Sequence, residues 1–203
     1  MKDKQLYRVA GFSYVGIFFL AIFANFIMLD SLKNDPLSTS STMIGIGAMA
    51  FLVAAILDLI VAWVLKDLFK NHHLTTLSTY LRIAHAVIMG VAVYALVLAR
   101  GLTDADAIQE QISIFDTMWL IGLFFFGAHL ILLNNILKNV IPKWMGIALL
   151  VAGVMYMVDT TAHFTLSNYD QYKDTFLALV AIPSILGEMA FSIWLLVKSR
   201  TNT

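Results

Sequence analysis

Residues Met43 to Leu65 read MIGIGAMAFLVAAILDLIVAWVL, an apolar run whose one ionisable side chain is Asp58. As a helix rising about 1.5 Å per residue, such a run crosses the ~30 Å hydrocarbon core of a bilayer. Five more stretches of similar length and character flank it: Val9 to Leu29, Thr76 to Leu98, Thr117 to Leu137, Trp144 to Thr161 and Thr175 to Val197. Short polar segments with turn formers lie between them, at Asn34-Asp35-Pro36, Lys70 to His73, Thr103 to Glu110, Lys138 to Lys143 and Ser167 to Asp174. The expectation is therefore all-α: a single transmembrane domain over residues 1–203, built as an integral membrane bundle of six helices. No linker is long enough to separate domains.

Composition agrees, since 60% of the 203 residues are hydrophobic and 13% are charged, with a mean hydropathy of +0.83. That is far from the balance of a soluble domain. The 13 basic and 13 acidic residues cancel, so no global field or basic run points to nucleic acid as a partner. The partner implied is membrane lipid. Cysteine is absent, which removes disulfides, thiolate metal ligands and a cysteine nucleophile together. The first apolar run is longer than a signal-peptide core and no small-x-small cleavage site follows it, so it reads as a retained helix.

Lys and Arg at the helix ends set the expected orientation. Nine (Lys2, Lys4, Arg8, Lys66, Lys70, Lys138, Lys143, Lys198, Arg200) flank one end of the bundle, and three (Lys33, Arg100, Lys173) flank the other. The bias places both termini on the cytoplasmic side, and Trp63, Trp144 and Trp194 fall near the same inner boundary as interfacial anchors.

Ionisable groups inside the spans cost at least ~2.5 kcal/mol near a helix centre, so each needs a partner or a role. Counted from the inner ends, Arg82 lies at about 9 Å, Asp58 at about 10 Å, His129 at about 12 Å, and His85 and Glu188 at about 13 Å. These five come from the second, third, fourth and sixth helices and form one layer. Arg82 and His85 share a helix face, as do Ser184, Glu188 and Ser192. Pro183 frees a backbone carbonyl near Glu188. The small-residue stripe Gly47, Ala50, Ala54, Asp58, Ala62 directs Asp58 into a close helix contact.

One reading of the layer is a polar cavity that binds or moves a small ligand, ion or proton. A membrane-embedded enzyme acting on a lipid or quinone-like substrate is a second. A structural or regulatory subunit, with Asp58 paired to Arg82 and Glu188 to a histidine, is a third. His85, His129, Glu188 and Asp58 are also a donor set for a divalent metal, although without the tight spacing of a metal motif. His85 and His129 at similar depth are candidate axial ligands for a haem. A second cluster, Asp159 and His163, lies four residues apart near the outer surface, with Asp116 and the Ser167-Asn168-Tyr169 loop as neighbours. Such a pair can orient an imidazole for base chemistry; the plainer reading, which the absence of any nucleophile fixed by spacing favours, is that His163 sits in the wet interface and Asp159 solvates its helix end.

Several phrases point to a family: Tyr7-Arg8-Val9-Ala10-Gly11, Tyr80-Leu81-Arg82-Ile83-Ala84-His85-Ala86-Val87, Ala128-His129-Leu130, Ile141-Pro142-Lys143-Trp144-Met145-Gly146, Tyr156-Met157-Val158-Asp159 and Leu186-Gly187-Glu188. Together they resemble the bacterial membrane proteins grouped as domain of unknown function 4386, over nearly the whole chain. The resemblance implies a compact multi-helix protein of the bacterial inner membrane. It marks Arg82, His129, Asp159 and Glu188 as family-type positions, and it implies no activity or cofactor. The family pattern tends to carry an acid where this chain has His85, which weakens any metal site that requires His85.

The Lys/Arg bias makes a direct prediction: reporter fusions at the two termini both read cytoplasmic, and an external C-terminus would contradict the six-helix count.

Overall fold

The computed structural model describes residues 3–201, so Lys2 lies outside the described residues. It is all-helical, and six helices are long and apolar enough to cross a membrane. The first runs Asp3–Asn34 and changes winding on the way, with α-helix at Asp3–Ile22, π-helix at Phe23–Leu29 and α-helix again at Asp30–Asn34. The others are Ser41–Leu68, Thr75–Ala99, Ala105–Leu137, Lys143–Thr165 and Lys173–Thr201, with one 3-10 turn at Tyr169–Gln171 before the last.

Six spans match the apolar runs, but two boundaries differ from the sequence reading. The segment Thr103 to Glu110, expected as loop, is helical from Ala105 onward, and Thr117 lies well inside the fourth helix. Asp104 starts that helix by accepting a hydrogen bond from the Ala107 amide at 2.9 Å, which satisfies one of the orphan donors of the first turn. Ile108, Ile112 and Phe115 then bury one face while Glu110 between them stays exposed. At about 1.5 Å per residue, the 33-residue helix exceeds the hydrocarbon thickness. The first helix likewise extends past Leu29 to Asn34, and Lys33 near its end pairs with Asp116 of the fourth at 2.7 Å.

Each helix packs against its neighbours in sequence, and the sixth packs back on the first, closing a ring. Short connections make consecutive members antiparallel. Two apolar cores fill the ring. One joins Leu6, Tyr14, Leu65, Leu133, Leu137, Met145 and Leu195, which brings the Lys/Arg-rich helix ends together. The other, around Met28, Phe51, Leu96, Ile112 and Phe115, is built from the first four helices. The fifth and sixth helices contribute no residue to this second core.

Lipid offers little driving force for helix association, so close backbone approach matters. At the crossing of the fourth and fifth helices, a Cβ on Gly127 would lie 2.5 Å from the Gly153 carbonyl oxygen, and one on Gly153 would lie 2.6 Å from the Gly127 oxygen. Neither obstacle is a flexible side chain that could swing away. Gly127→Ala or Gly153→Ala is therefore predicted to lower stability by at least about 1–3 kcal/mol. Gly90→Ala, where nothing lies within 4 Å, is predicted to leave it unchanged or higher. Thermal unfolding in detergent checks the contrast.

Candidate functional site: a buried charged centre

The third helix turns one stripe inward: Thr75, Ser78, Thr79, Arg82, His85, Ala86 and Met89 are all buried, at the three-and-four spacing of a single helical face. Arg82 sits at its middle and is 1% exposed. Its guanidinium reaches three other helices. Nη2 donates to the Asp58 carboxylate of the second helix. Nη1 donates to the Tyr14 hydroxyl of the first at 2.7 Å and to His129 Nε2 of the fourth at 3.3 Å. The guanidinium carbon also stands 4.7 Å from the Tyr14 ring centroid and 5.2 Å from that of Phe126, within range of a cation–π attraction.

These contacts fix the proton on His129. A guanidinium only donates, so Nε2 must accept. The other ring nitrogen, Nδ1, lies 2.9 Å from the Ser78 carbonyl oxygen, which only accepts, so Nδ1 carries the hydrogen and the ring is neutral. The Ser78 hydroxyl is 2.8 Å from the same nitrogen. Both nitrogens of His129 are thus engaged, and Phe126 packs on its ring and on that of His85. Among the described residues no group of three or more His, Asp or Glu side chains is gathered as a metal site.

His85 is held differently. Its Nδ1 donates to the Gly122 carbonyl at 2.9 Å, while Nε2 faces the free oxygen of Asp58 at 3.5 Å. Asp58 therefore lies between Arg82 on one oxygen and His85 on the other. A proton arriving at Nε2 would meet a carboxylate already in place.

Glu188 is placed on the same level but outside this network. It is half-buried and among the described residues makes no ion pair. Among the described residues Arg82 Nε is buried without a hydrogen-bond partner. The expected pairing of Glu188 with a histidine is not what forms, because both histidines are held by Ser78, Gly122, Arg82 and Asp58 instead.

The outer cluster is also rearranged. Asp159 accepts from the Tyr169 hydroxyl at 2.6 Å, and His163 meets the Tyr169 ring edge-on at 4.6 Å rather than bonding Asp159. Asp116, expected beside them, is the partner of Lys33. Burial and then the Asp159 carboxylate push the Tyr169 hydroxyl above its ordinary range, so it stays a donor. The cluster ties the 3-10 turn to the end of the fifth helix.

A family model described as "Domain of unknown function (DUF4386)" matches residues 9–199. The chain belongs to this family. An uncharacterized protein of Archaeoglobus fulgidus is 30% identical over 82 residues, covering 39% of this chain and 45% of that relative. The chain thus spans less than half the length of the curated relative it matches. No solved structure matches it.

In this DUF4386 member the sequence reading located Asp58, Arg82, His85 and His129, which the fold brings together, but missed Tyr14, Ser78 and Phe126. Tyr14 was legible in principle, since Leu6, Ala10 and Tyr14 follow one another at four-residue spacing and all are buried. Ser78 was legible too, one turn before Arg82. Phe126 carried no signal in a run as apolar as its own.

Removing one member of the Asp58–Arg82 pair would leave a charge buried without its partner. Asp58→Asn or Arg82→Gln alone is predicted to destabilise the protein by ~3–5 kcal/mol, and the double variant by clearly less than the sum. Additive losses in a thermal double-mutant cycle would contradict the pair.

Proposed function

We propose that the protein moves a proton through its buried polar centre, with Glu188 and His85 as the exchanging groups and Asp58, Arg82, His129 and Tyr14 as a fixed frame. The observation that carries this reading is Glu188 itself, an intramembrane acid that among the described residues has no counter-ion and no side-chain hydrogen bond, beside a centre in which the other charges are paired. An unpaired carboxylate in hydrocarbon is costly, and a proton removes its charge.

Size favours a proton over the small ligand or ion that the sequence also allowed. The cavity beside the inner edge of the centre, lined by Thr75, Ser78, Thr79 and His129 among apolar neighbours, measures about 10 Å³. That is close to the room one water needs. Its lining touches His129 but neither Glu188 nor His85, and it is too narrow for an organic substrate. His85 Nε2, facing Asp58, supplies a second acceptor within the frame.

The test is proton flux into vesicles that contain the purified protein and a pH-sensitive dye, driven by a potassium diffusion potential. Wild type is predicted to acidify the lumen faster than protein-free vesicles. Glu188→Gln should slow this by about a hundredfold, the scale on which loss of a positioned proton carrier is felt. Lys198→Gln, remote from the centre, should match wild type. Wild-type rates equal to those of empty vesicles would overturn the proposal.

A further inference from the structure

The seam where the ring closes carries a second feature, independent of the charged centre. The first and sixth helices approach closely at Gly11, where a Cβ would lie 2.6 Å from the Leu196 side chain, and Ser192 donates its hydroxyl proton to the Gly11 carbonyl at 3.1 Å. Toward the Lys/Arg-rich end the helices leave a groove of about 360 Å³ lined by Arg8, Phe12, Leu196, Ser199 and Arg200. Arg8 and Phe12 lie one turn apart on one wall, and Leu196 and Arg200 one turn apart on the other.

Its chemistry is mixed in a particular way. Arg8 and Arg200 are exposed, and among the described residues neither makes an ion pair or a side-chain hydrogen bond to protein. Phe12 is 62% exposed and lies one turn farther into the span, with exposed Ile193 and Val197 along the sixth helix. Two guanidinium groups at the rim and an apolar wall running inward match an anion joined to a hydrocarbon chain. Guanidinium groups bind phosphate through paired donors, and Phe12 would contact an acyl chain.

We infer that this groove binds an anionic phospholipid, with its phosphate between Arg8 and Arg200 and an acyl chain along Phe12 and the seam. Two positive charges without an ion-pair partner among the described residues select a lipid of net negative charge over a zwitterionic one. The bound lipid would bridge the first and last helices of the ring, so it would also stabilise the closure. A free phosphate would gain from the arginines alone and leave the apolar wall without a partner.

The experiment is thermal unfolding of the full chain in mild detergent, titrated with phosphatidylglycerol, phosphatidylcholine or inorganic phosphate. Phosphatidylglycerol is expected to raise the midpoint saturably, and the other two to leave it unmoved. Arg8→Gln and Arg200→Gln should each weaken the apparent affinity by roughly fivefold, the effect of one basic group near an anionic lipid. A Lys66→Gln/Lys70→Gln variant, which removes two charges from the same end away from the groove, should respond as wild type does. Equal weakening in that control, or an equal response to phosphatidylcholine or phosphate, would overturn the assignment. Native mass spectrometry of the wild-type protein provides a second readout that needs no variant: phosphatidylglycerol adducts should outlast phosphatidylcholine adducts, and equal retention would contradict the site.

Discussion

Arg82 against Asp58 is the contact on which the interior depends. A buried arginine cannot discharge itself, so the fold must supply donors' partners for it at whatever depth it occupies. Here the partners come from three helices at once: Asp58 from the second, Tyr14 from the first and His129 from the fourth. Because lipid does not drive helices together as water does, a charge with partners on several helices specifies which of them must meet and at what height. The consequence runs outward from there. His129 needs Ser78 to hold its tautomer, Phe126 covers both imidazoles, and Asp58 is left with one oxygen turned toward His85.

The same contact divides the polar groups into two kinds. Arg82, Asp58, Tyr14 and His129 restrain one another so fully that any movement would strand a charge or a donor. Glu188 has no such partner among the described residues, His85 Nε2 is held only by the longer contact of 3.5 Å to Asp58, and Arg82 Nε marks the side on which the network is unfinished. That division separates the structural contribution of the centre from the chemistry proposed for it. The packing follows the same line. One core draws on every spanning helix but the third, whereas the other is built from the first four, so the sixth helix, which carries Pro183 and Glu188, enters only one of them.

What the sequence made legible was whatever polarity could betray. In a chain this apolar, Asp58, Arg82, His85 and His129 stand out individually, and helical rise places them at one height before any packing is known. Tyr14 and Ser78 are polar enough to find but common enough to pass over, and Phe126 is chemically indistinct from the fourteen phenylalanines of the chain. Hydropathy misplaced the start of the fourth helix because its first turns are polar on one face: Asp106 and Glu110 read as loop, while the Ile108, Ile112, Phe115 periodicity was the better guide. Pairing was the least legible property. Depth and spacing alone allowed both Glu188 and Asp159 a histidine, and only the rotation of each helix decides that Tyr169 takes Asp159 and that Glu188 has no ion pair among the described residues.

The claim that Glu188 exchanges a proton while Asp58 is locked to Arg82 is tested most directly by infrared difference spectroscopy of the protein in lipid as pH is changed. A carboxylic-acid band that responds to pH, vanishes in Glu188→Gln and persists in a charge-neutral Asp58→Asn variant that still folds is the result the account predicts. A responsive band that survives Glu188→Gln, or one lost only when Asp58 is replaced, would contradict it.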